Sequence, residues 1–306
     1  MNHADWRTTT DAGEFLAEAG LYLEGDPVEN TLLLTIAHGV LGSSSAPAPG
    51  QAVPLYGWHP ASAVSPPSPA TPVSPSADGA FVHTPGMPIV LGPMTEPVEP
   101  AAAALAATLH RQGRLLAGVN GAPAAAEAFA AEWRRTAGPA GLTIASRVFQ
   151  RQRLFRLAEP TPLPPPPGRA RVATARDREL LTRWTGAFQH EASGSRVPAS
   201  PAVVDSRLAY GGLLVWETDG ELMSMAARTP VVGGMSRVAP VYTPPAQRGN
   251  GFGGAITVAT SRAARAAGAR EVVLFTDLAN PTSNALYQRL GYRPVSDRLV
   301  LLFGDA

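Results

Sequence analysis

The 306-residue chain contains neither cysteine nor lysine. The absence of cysteine excludes disulfides, thiolate metal ligands and a cysteine nucleophile. The absence of lysine excludes the phosphate-binding loop of Walker-type nucleotide enzymes, which requires one. The six histidines lie far apart along the chain and show no metal-ligand spacing, so we expect no metal site.

Long apolar runs are absent as well. The longest candidate, residues 31–41, contains His38 and falls short of the roughly 18 residues that span a bilayer. Residues 1–10 are polar and lack the apolar core of a signal peptide. We therefore expect a cytoplasmic protein that has no membrane partner.

The net charge of +1 conceals an uneven distribution. Residues 1–110 hold ten acidic residues and one cation, Arg7, whereas residues 111–306 hold 24 arginines and 14 acidic residues. The arginines are scattered and are not interleaved with aromatic residues, so the pattern does not indicate a nucleic-acid partner. A basic C-terminal half favours an anionic cofactor instead.

Two proline-rich segments interrupt the chain. One falls within residues 43–78, and the other, residues 159–168, reads Glu-Pro-Thr-Pro-Leu-Pro-Pro-Pro-Pro-Gly, which is typical of an extended linker. We predict a first domain at residues 1–158, a linker at 159–168 and a second domain at 169–306. Both halves show helices, then a meander, then alternating strands and helices, which indicates a tandem duplication.

Hydrophobic periodicity and turn residues predict the elements. In the first half we expect helices 11–24, 27–41, 98–112 and 122–137 and strands 53–58, 79–92, 114–119 and 142–157. In the second half we expect helices 175–192, 201–210, 251–267 and 281–290 and strands 169–174, 212–217, 221–228, 236–243, 271–276 and 292–303.

The segment from Val241 to Gly254 carries the most information about function. An apolar strand ends near Thr243, a glycine-rich turn with Arg248 comes next, and a helix begins. This layout directs several backbone N–H groups and a helix N-terminus at one point, which suits a pyrophosphate. The turn also fits a dinucleotide fingerprint, but too few residues come after it for a doubly wound sheet, and Glu271 begins a strand where the fingerprint needs an acid at a strand end.

Two motifs now point to a family. Arg248-Gly-Asn-Gly-Phe-Gly253 resembles the Gln/Arg-x-x-Gly-x-Gly/Ala motif of the Gcn5-related N-acetyltransferases (GNAT), and residues 280–292 are similar to the fourth helix of that family and the turn into its last strand. The resemblance covers residues 169–303. It implies an α/β (α+β) fold of two tandem GNAT-like domains, each a mixed, mostly antiparallel sheet flanked by helices, in a plan similar to that of mycothiol synthase.

The first half departs from the family pattern at the cofactor loop. No Gly-x-Gly turn and no arginine come after the predicted strand 79–92, and Glu96 and Glu99 would repel a pyrophosphate. We therefore expect residues 1–158 to be a degenerate GNAT-like domain without a cofactor loop.

The resemblance implies acetyl-CoA as the acyl donor and no metal. Tyr287 would lie near the cofactor sulfur and act as a general acid, and a backbone N–H of a splayed strand would stabilise the oxyanion. By the same resemblance, the cofactor contacts would be Val241, Tyr242, Thr243, Gln247, Arg248, Gly249, Asn250, Gly251, Phe252, Gly253, Gly254, Asn280, Asn284 and Tyr287.

The sequence defines the general base less well. Glu217, at the end of a predicted strand, is the first candidate, and Glu191, Asp277 and Glu221 are weaker ones. We expect direct transfer of an acetyl group from acetyl-CoA to a primary amine of a small molecule. The alternatives are a non-catalytic acyl-CoA-binding or regulatory protein and, less favoured, an NAD-linked oxidoreductase. The pattern does not indicate the acceptor or the oligomeric state.

Overall fold

The computed structural model describes residues 6–42, 53–61, 76–136, 144–161, 164–194 and 198–305. The chain divides into two compact units. The first comprises Met1–Arg153, Asp277–Ala279 and Ser296–Ala306, and the second comprises Leu154–Thr276 and Asn280–Val295. No single position in the sequence separates the two units, because the last strand of each half, Ile144–Leu157 and Tyr292–Asp305, contributes residues to both. Part of the predicted linker, residues 162–163, lies outside the described residues.

The helices and strands come in an order close to the predicted one. In the first half they are β1 Arg7–Thr9, α1 Ala12–Gly25, α2 Thr31–Leu41, β2 Leu55–Pro60, β3 Ala77–His83, β4 Ile89–Met94, α3 Val98–Arg111, β5 Gly118–Gly121, α4 Pro123–Thr136 and β6 Ile144–Leu157. In the second half they are β7 Arg169–Val172, α5 Arg178–Ser193, α6 Pro201–Ala209, β8 Leu213–Thr218, β9 Glu221–Arg228, β10 Met235–Tyr242, α7 Phe252–Ala266, β11 Glu271–Asp277, α8 Pro281–Arg289 and β12 Tyr292–Asp305.

The first unit contains a sheet in the order β1-β2-β3-β4-β5-β12-β6. Strands β1 to β4 are antiparallel neighbours, β4 and β5 are parallel, and β12 runs antiparallel to β5. Helices α3 and α4 bury Leu105 and Phe129 against Phe81 and Leu91 of this sheet. Burial of such large apolar side chains is the main stabilising contribution.

The structure of the first half differs from the prediction at β1, at β5, which is Gly118–Gly121 and not 114–119, and at β3 and β4. The predicted single strand 79–92 is the hairpin β3–β4, because Gly86 adopts a left-handed φ of 78° in a turn that the Met87 N–H closes on the Thr84 carbonyl. The short strand β1 was not predicted at all. A run of only three residues carries no readable period.

The second unit contains a sheet in the order β6-β11-β10-β9-β8-β7. Strands β7 to β10 are antiparallel neighbours, and β10 and β11 are parallel. The predicted mixed, mostly antiparallel sheet flanked by helices is therefore confirmed. None of the described helices is long and apolar enough to cross a bilayer.

Helices cover both faces of the second sheet. On one face, Phe252 and Ile256 of α7 pack against Val238. These two residues are four positions apart on the helix, so both side chains lie on its buried side. On the other face, Leu181 of α5 and Val204 of α6 pack in a second core with Val215, Met225 and Tyr242. This arrangement fixes β10 between two cores, with its C-terminal end directed to the start of α7.

Candidate active site

Strands β10 and β11 diverge after a short stretch of pairing. They pair from Met235 to Arg237 on β10 and from Glu271 to Val273 on β11, although β10 continues to Tyr242 and β11 to Asp277. Among the described residues no further pair joins the two strands. The register of β10 against β9 also shifts between Val238 and Val241. Unpaired strand edges at such a gap can bond an extended ligand as an added strand would.

The turn after β10 depends on glycine for its backbone conformation. Gly249 has a φ of 83° and Gly251, the N-cap of α7, has a φ of 82°. This left-handed region costs other residues about 1–2 kcal/mol. A Cβ on Gly249 would contact nothing within 4 Å, so the requirement there is conformational and does not arise from a close neighbour. The first N–H groups of α7 have no acceptor within the helix and are directed out of its N-terminus.

Arg248 holds this turn in place. Its Nε donates to the Thr243 carbonyl at 2.9 Å, and its Nη2 donates to both carboxylate oxygens of Glu191 on α5 at 2.7 and 2.8 Å. The guanidinium carbon also lies 5.9 Å from the ring centroid of Tyr242. Glu191 therefore neutralises much of the charge of Arg248. No sequence signal indicated this partner, because the two residues are 57 positions apart.

Helix α8 brings the second sequence motif to the first. Asn280 is the N-cap of α8, where its Oδ1 accepts from the Ser283 N–H at 3.0 Å. The Nδ2 of Asn284 donates to the Asn280 carbonyl at 2.7 Å. A Cβ built on Gly254 would lie 3.2 Å from Leu286 Cδ1, so α8 packs closely against the first turn of α7. The two motifs therefore meet beside the gap.

Tyr287 lies on α8 and is only 8% exposed. Its ring is 6.0 Å from that of Tyr292, whose hydroxyl is 2.7 Å from Ser261 Oγ. Among the described residues none accepts from or donates to the Tyr287 hydroxyl. Burial raises the pKa of Tyr287 to about 12. The phenol is therefore neutral at physiological pH and available as a hydrogen-bond donor.

The structure does not bring Glu217 to this gap. Its carboxylate accepts from Arg171 Nε of β7 at 2.5 Å and lies 3.8 Å from Arg169 Nη2. Its own strand, β8, is separated from β10 by β9. The contact that decides the position of Glu217 comes from Arg171 on the edge strand β7. The sequence did not show that β7 pairs with β8.

The weaker base candidates have other positions. Glu221 lies exposed at the start of β9. Asp277 belongs to the first unit and accepts from Gln150 Nε2 at 3.1 Å and from the Ala279 N–H at 2.8 Å. In the described part of the chain, no group of three His, Asp or Glu residues is placed to hold a metal ion.

One family model and several solved structures are similar to this chain. Residues 178–292 match the family model described as the acetyltransferase (GNAT) family. A Drosophila protein solved as a structural genomics target superposes with a TM-score of 0.64 at 14% identity, covering 97% of this chain and 98% of that one. No curated protein sequence matches the chain.

Two further solved structures carry the family name. A GCN5-related N-acetyltransferase from Sphaerobacter thermophilus has a TM-score of 0.53 at 18% identity and covers 98% of this chain and 95% of its own. A GNAT-family acetyltransferase from Colwellia psychrerythraea has a TM-score of 0.50 at 10% identity, covering 82% and 85%. At these identities the likeness concerns the fold. Because it extends over nearly the whole chain, the predicted fold class is confirmed.

Proposed function

We propose that this chain, whose residues 178–292 match the model of the GNAT acetyltransferase family, transfers an acetyl group from acetyl-CoA to a primary amine of a small molecule. One observation carries the proposal. The gap between β10 and β11 and the glycine turn both lie at the end of β10, and α8, which carries Tyr287, packs against the first turn of α7.

The residues around the gap suit the parts of acetyl-CoA. The N–H groups at the start of α7 would bind the pyrophosphate, with Gly249 and Gly251 providing the backbone conformation. The edge of β10 that faces β11 at Val241 and Tyr242, together with Thr243 just after the strand, would bond the pantetheine arm. Arg248 would act mainly as a brace for the turn, because Glu191 already pairs with it.

The transfer itself needs few groups. The amine nitrogen attacks the thioester carbonyl carbon, a C–N bond forms, the C–S bond breaks, and the ammonium proton leaves to water. A backbone N–H of β10 would stabilise the oxyanion, although Pro240 has none to give. Tyr287 would give its proton to the departing thiolate, whose own pKa rises in a desolvated site. We do not propose Glu217 as the general base, because its carboxylate is bonded to Arg171.

Calorimetry with acetyl-CoA, and then a mass-shift screen over primary amines, tests the proposal. We expect saturable binding and a gain of one acetyl group on at least one amine. Binding without turnover across the screen would favour the non-catalytic acyl-CoA-binding alternative. Absence of acetyl-CoA binding would contradict the proposal, and binding of a nicotinamide dinucleotide in its place would favour an oxidoreductase.

A further inference from the structure

The first unit has a cavity beside the turn between β4 and α3. Its volume is about 140 Å³, and the residues that line it include Trp6, His59, Asp78, Gly79, Met94 and Glu96, all of that unit. Trp6 is 4% exposed, whereas Glu96 is exposed, so the cavity runs from a buried indole to solvent. An engineered cavity of about 150 Å³ holds a benzene molecule. A ligand of that size therefore fits here.

Gly79 of β3 leaves the space of the cavity open. A Cβ built on Gly79 would lie 3.1 Å from Trp6 Cη2, 3.5 Å from Met94 Cγ and 3.6 Å from His59 Cβ. A larger side chain would therefore compete for the volume that these three residues line. Gly79 has no positive φ, so its backbone conformation does not require glycine. What the missing side chain provides is space.

Two carboxylates line the cavity, and each keeps one oxygen without a partner among the described residues. Asp78 Oδ1 lies 2.6 Å from His59 Nδ1, and Glu96 Oε2 accepts from the Val98 N–H at 3.3 Å. Asp78 Oδ2 and Glu96 Oε1 bond to no described residue, and neither carboxylate pairs with a described arginine. Both oxygens therefore remain as acceptors for a ligand.

The surroundings of Asp78 are negatively charged. Burial, and then the nearby carboxylates of Asp78, Asp26 and Glu29, raise the pKa of Tyr22 above its usual range. Arg7 is the only arginine among the first 110 residues, the chain has no lysine, and Arg7 is not one of the residues that line the cavity. This charge distribution attracts a cation and repels an anion.

The start of α3 borders the cavity and does not oppose a cation there. Helix N-termini attract anions through their free N–H groups. Pro97 and Pro100 have no N–H, and the Val98 N–H already donates to Glu96. This end of the helix therefore adds little positive charge to the cavity.

We propose that the cavity binds a small organic cation, an alkylammonium no larger than benzene, between the Trp6 indole and the carboxylates of Asp78 and Glu96. Such a cation gains a cation–π attraction from an indole and a charge interaction from each carboxylate. A bare metal ion suits the cavity less, because no three His, Asp or Glu side chains in the part of the chain that the structure describes are grouped to hold one. The inference does not depend on the proposed acetyl transfer.

Tetramethylammonium and the neutral tert-butanol, which has a similar shape, test the charge requirement. Tetramethylammonium has no N–H and cannot be acetylated, so it does not report on an acceptor amine. Each is titrated against the full-length chain without acetyl-CoA and monitored by ligand-observed NMR. We expect saturable binding of the cation, about tenfold tighter than that of the alcohol. Equal binding of the two, or binding of neither, would overturn the inference.

Substitutions of the lining residues locate the bound cation. Asp78→Asn should weaken the binding of tetramethylammonium about tenfold and Glu96→Gln about threefold, because Glu96 is the more exposed. Gly79→Ala should weaken it by taking up space. The matched control is Glu99→Gln, since Glu99 is exposed at the start of α3 and does not line the cavity.

Thermal unfolding of each variant separates loss of binding from loss of fold. Glu96→Gln changes an exposed side chain and should keep the wild-type midpoint, so it tests the site even if Asp78→Asn or Gly79→Ala unfolds. An effect of Glu96→Gln no larger than that of Glu99→Gln would show that the cation binds elsewhere and would overturn the inference. Acetyl transfer, measured separately, is left intact by that outcome.

Discussion

The parallel strand pairs β4–β5 and β10–β11 are each connected through a helix, but they differ in the turn that comes after the first strand. In each, the first strand leads into a helix, α3 or α7, and the two strands pair over only two or three residues before the pairing stops. The topology is therefore repeated, whereas the turn between the first strand and its helix differs.

The turn into α3 lacks the features of a phosphate site. Between β4 and α3 the chain reads Thr95-Glu96-Pro97, without a glycine at positive φ, and Pro97, which has no N–H, is the N-cap. The carboxylate of Glu96 accepts from the Val98 N–H at 3.3 Å. A helix N-terminus that already holds its own anion has little attraction for another.

The end of the β4–β5 pairing is also filled. Arg298 of β12 is 4% exposed and donates from Nη2 to the Leu91 carbonyl at 2.7 Å and to the Asn120 carbonyl at 3.1 Å. Its Nε donates to Asn120 Oδ1 at 2.9 Å. One buried side chain therefore takes the acceptors that a ligand arm would use. The comparison teaches that two strand pairs of the same topology can differ in the turn and the gap that a cofactor would need.

Replacing Tyr287 with Phe should give the largest effect. Loss of the acid should lower kcat by about 100-fold or more while KM for acetyl-CoA changes little. The matched control is Tyr292→Phe, which removes a hydroxyl that bonds Ser261 and should mainly lower stability. Steady-state kinetics on both variants make the measurement. An unchanged kcat in Tyr287→Phe would remove Tyr287 as the acid.

Replacing Arg298 with Met should destabilise the first unit by about 2–5 kcal/mol, because three acceptors lose their donor in a buried place. Thermal unfolding measures the effect. Arg293→Met, on an exposed part of β12, should cost far less. Appearance of a second acetyl-CoA site in Arg298→Met would show that this side chain alone closes the β4–β5 gap, against our account of the turn.

Replacing Gly251 with Ala should weaken acetyl-CoA binding about tenfold, because about 1–2 kcal/mol of strain at a φ of 82° shifts the N–H groups of the turn. Gly268→Ala is the control, since Gly268 lies just beyond the other end of α7 with a φ of 95° and open space around it. Both variants should lose similar stability, and only Gly251→Ala should lose affinity. Equal affinities in calorimetry would remove the turn from the site.

High pH should lower the stability of both units, and we expect this effect to be smaller than those of the substitutions above. Burial raises the pKa of Tyr287 to about 12 and also raises that of Tyr56 in the first unit. An unfolded phenol has a pKa of about 10. The folded state therefore holds these protons more tightly, so this stability is complete below about pH 10 and is lost as the pH rises toward 12.

The thermal midpoint measured between pH 9 and 12 checks this sign. Tyr287→Phe and Tyr56→Phe should each make the decline shallower. A midpoint that rises with pH in this range would contradict the assignment of the buried phenols.

Local patterns predicted much of the second half. Strand 221–228 agrees with β9, and helix 281–290 differs from α8 by one residue, because alternation, the Asp219-Gly220 turn and the Asn280-Pro281 start are all local signals. The glycine turn was recognisable for the same reason. Its role in binding stays a prediction.

The long-range contacts could not be predicted. Glu191 beside Arg248, Arg171 beside Glu217 and Arg298 beside Leu91 join residues that are tens to hundreds of positions apart. No spacing rule relates such partners. Arg298 lies in β12, where the alternation of side chains predicts only the face of the sheet on which each residue lies. It does not predict that the Arg298 side chain bonds to both β4 and β5.

The number of acetyl-CoA molecules bound per chain tests the central claim most directly, because the two strand pairs share a topology and differ only in the turn and the gap. Isothermal titration of the full chain should give one site, and Gly251→Ala should weaken that site. Two sites in the wild-type chain, or one site that Gly251→Ala leaves unchanged, would contradict the account.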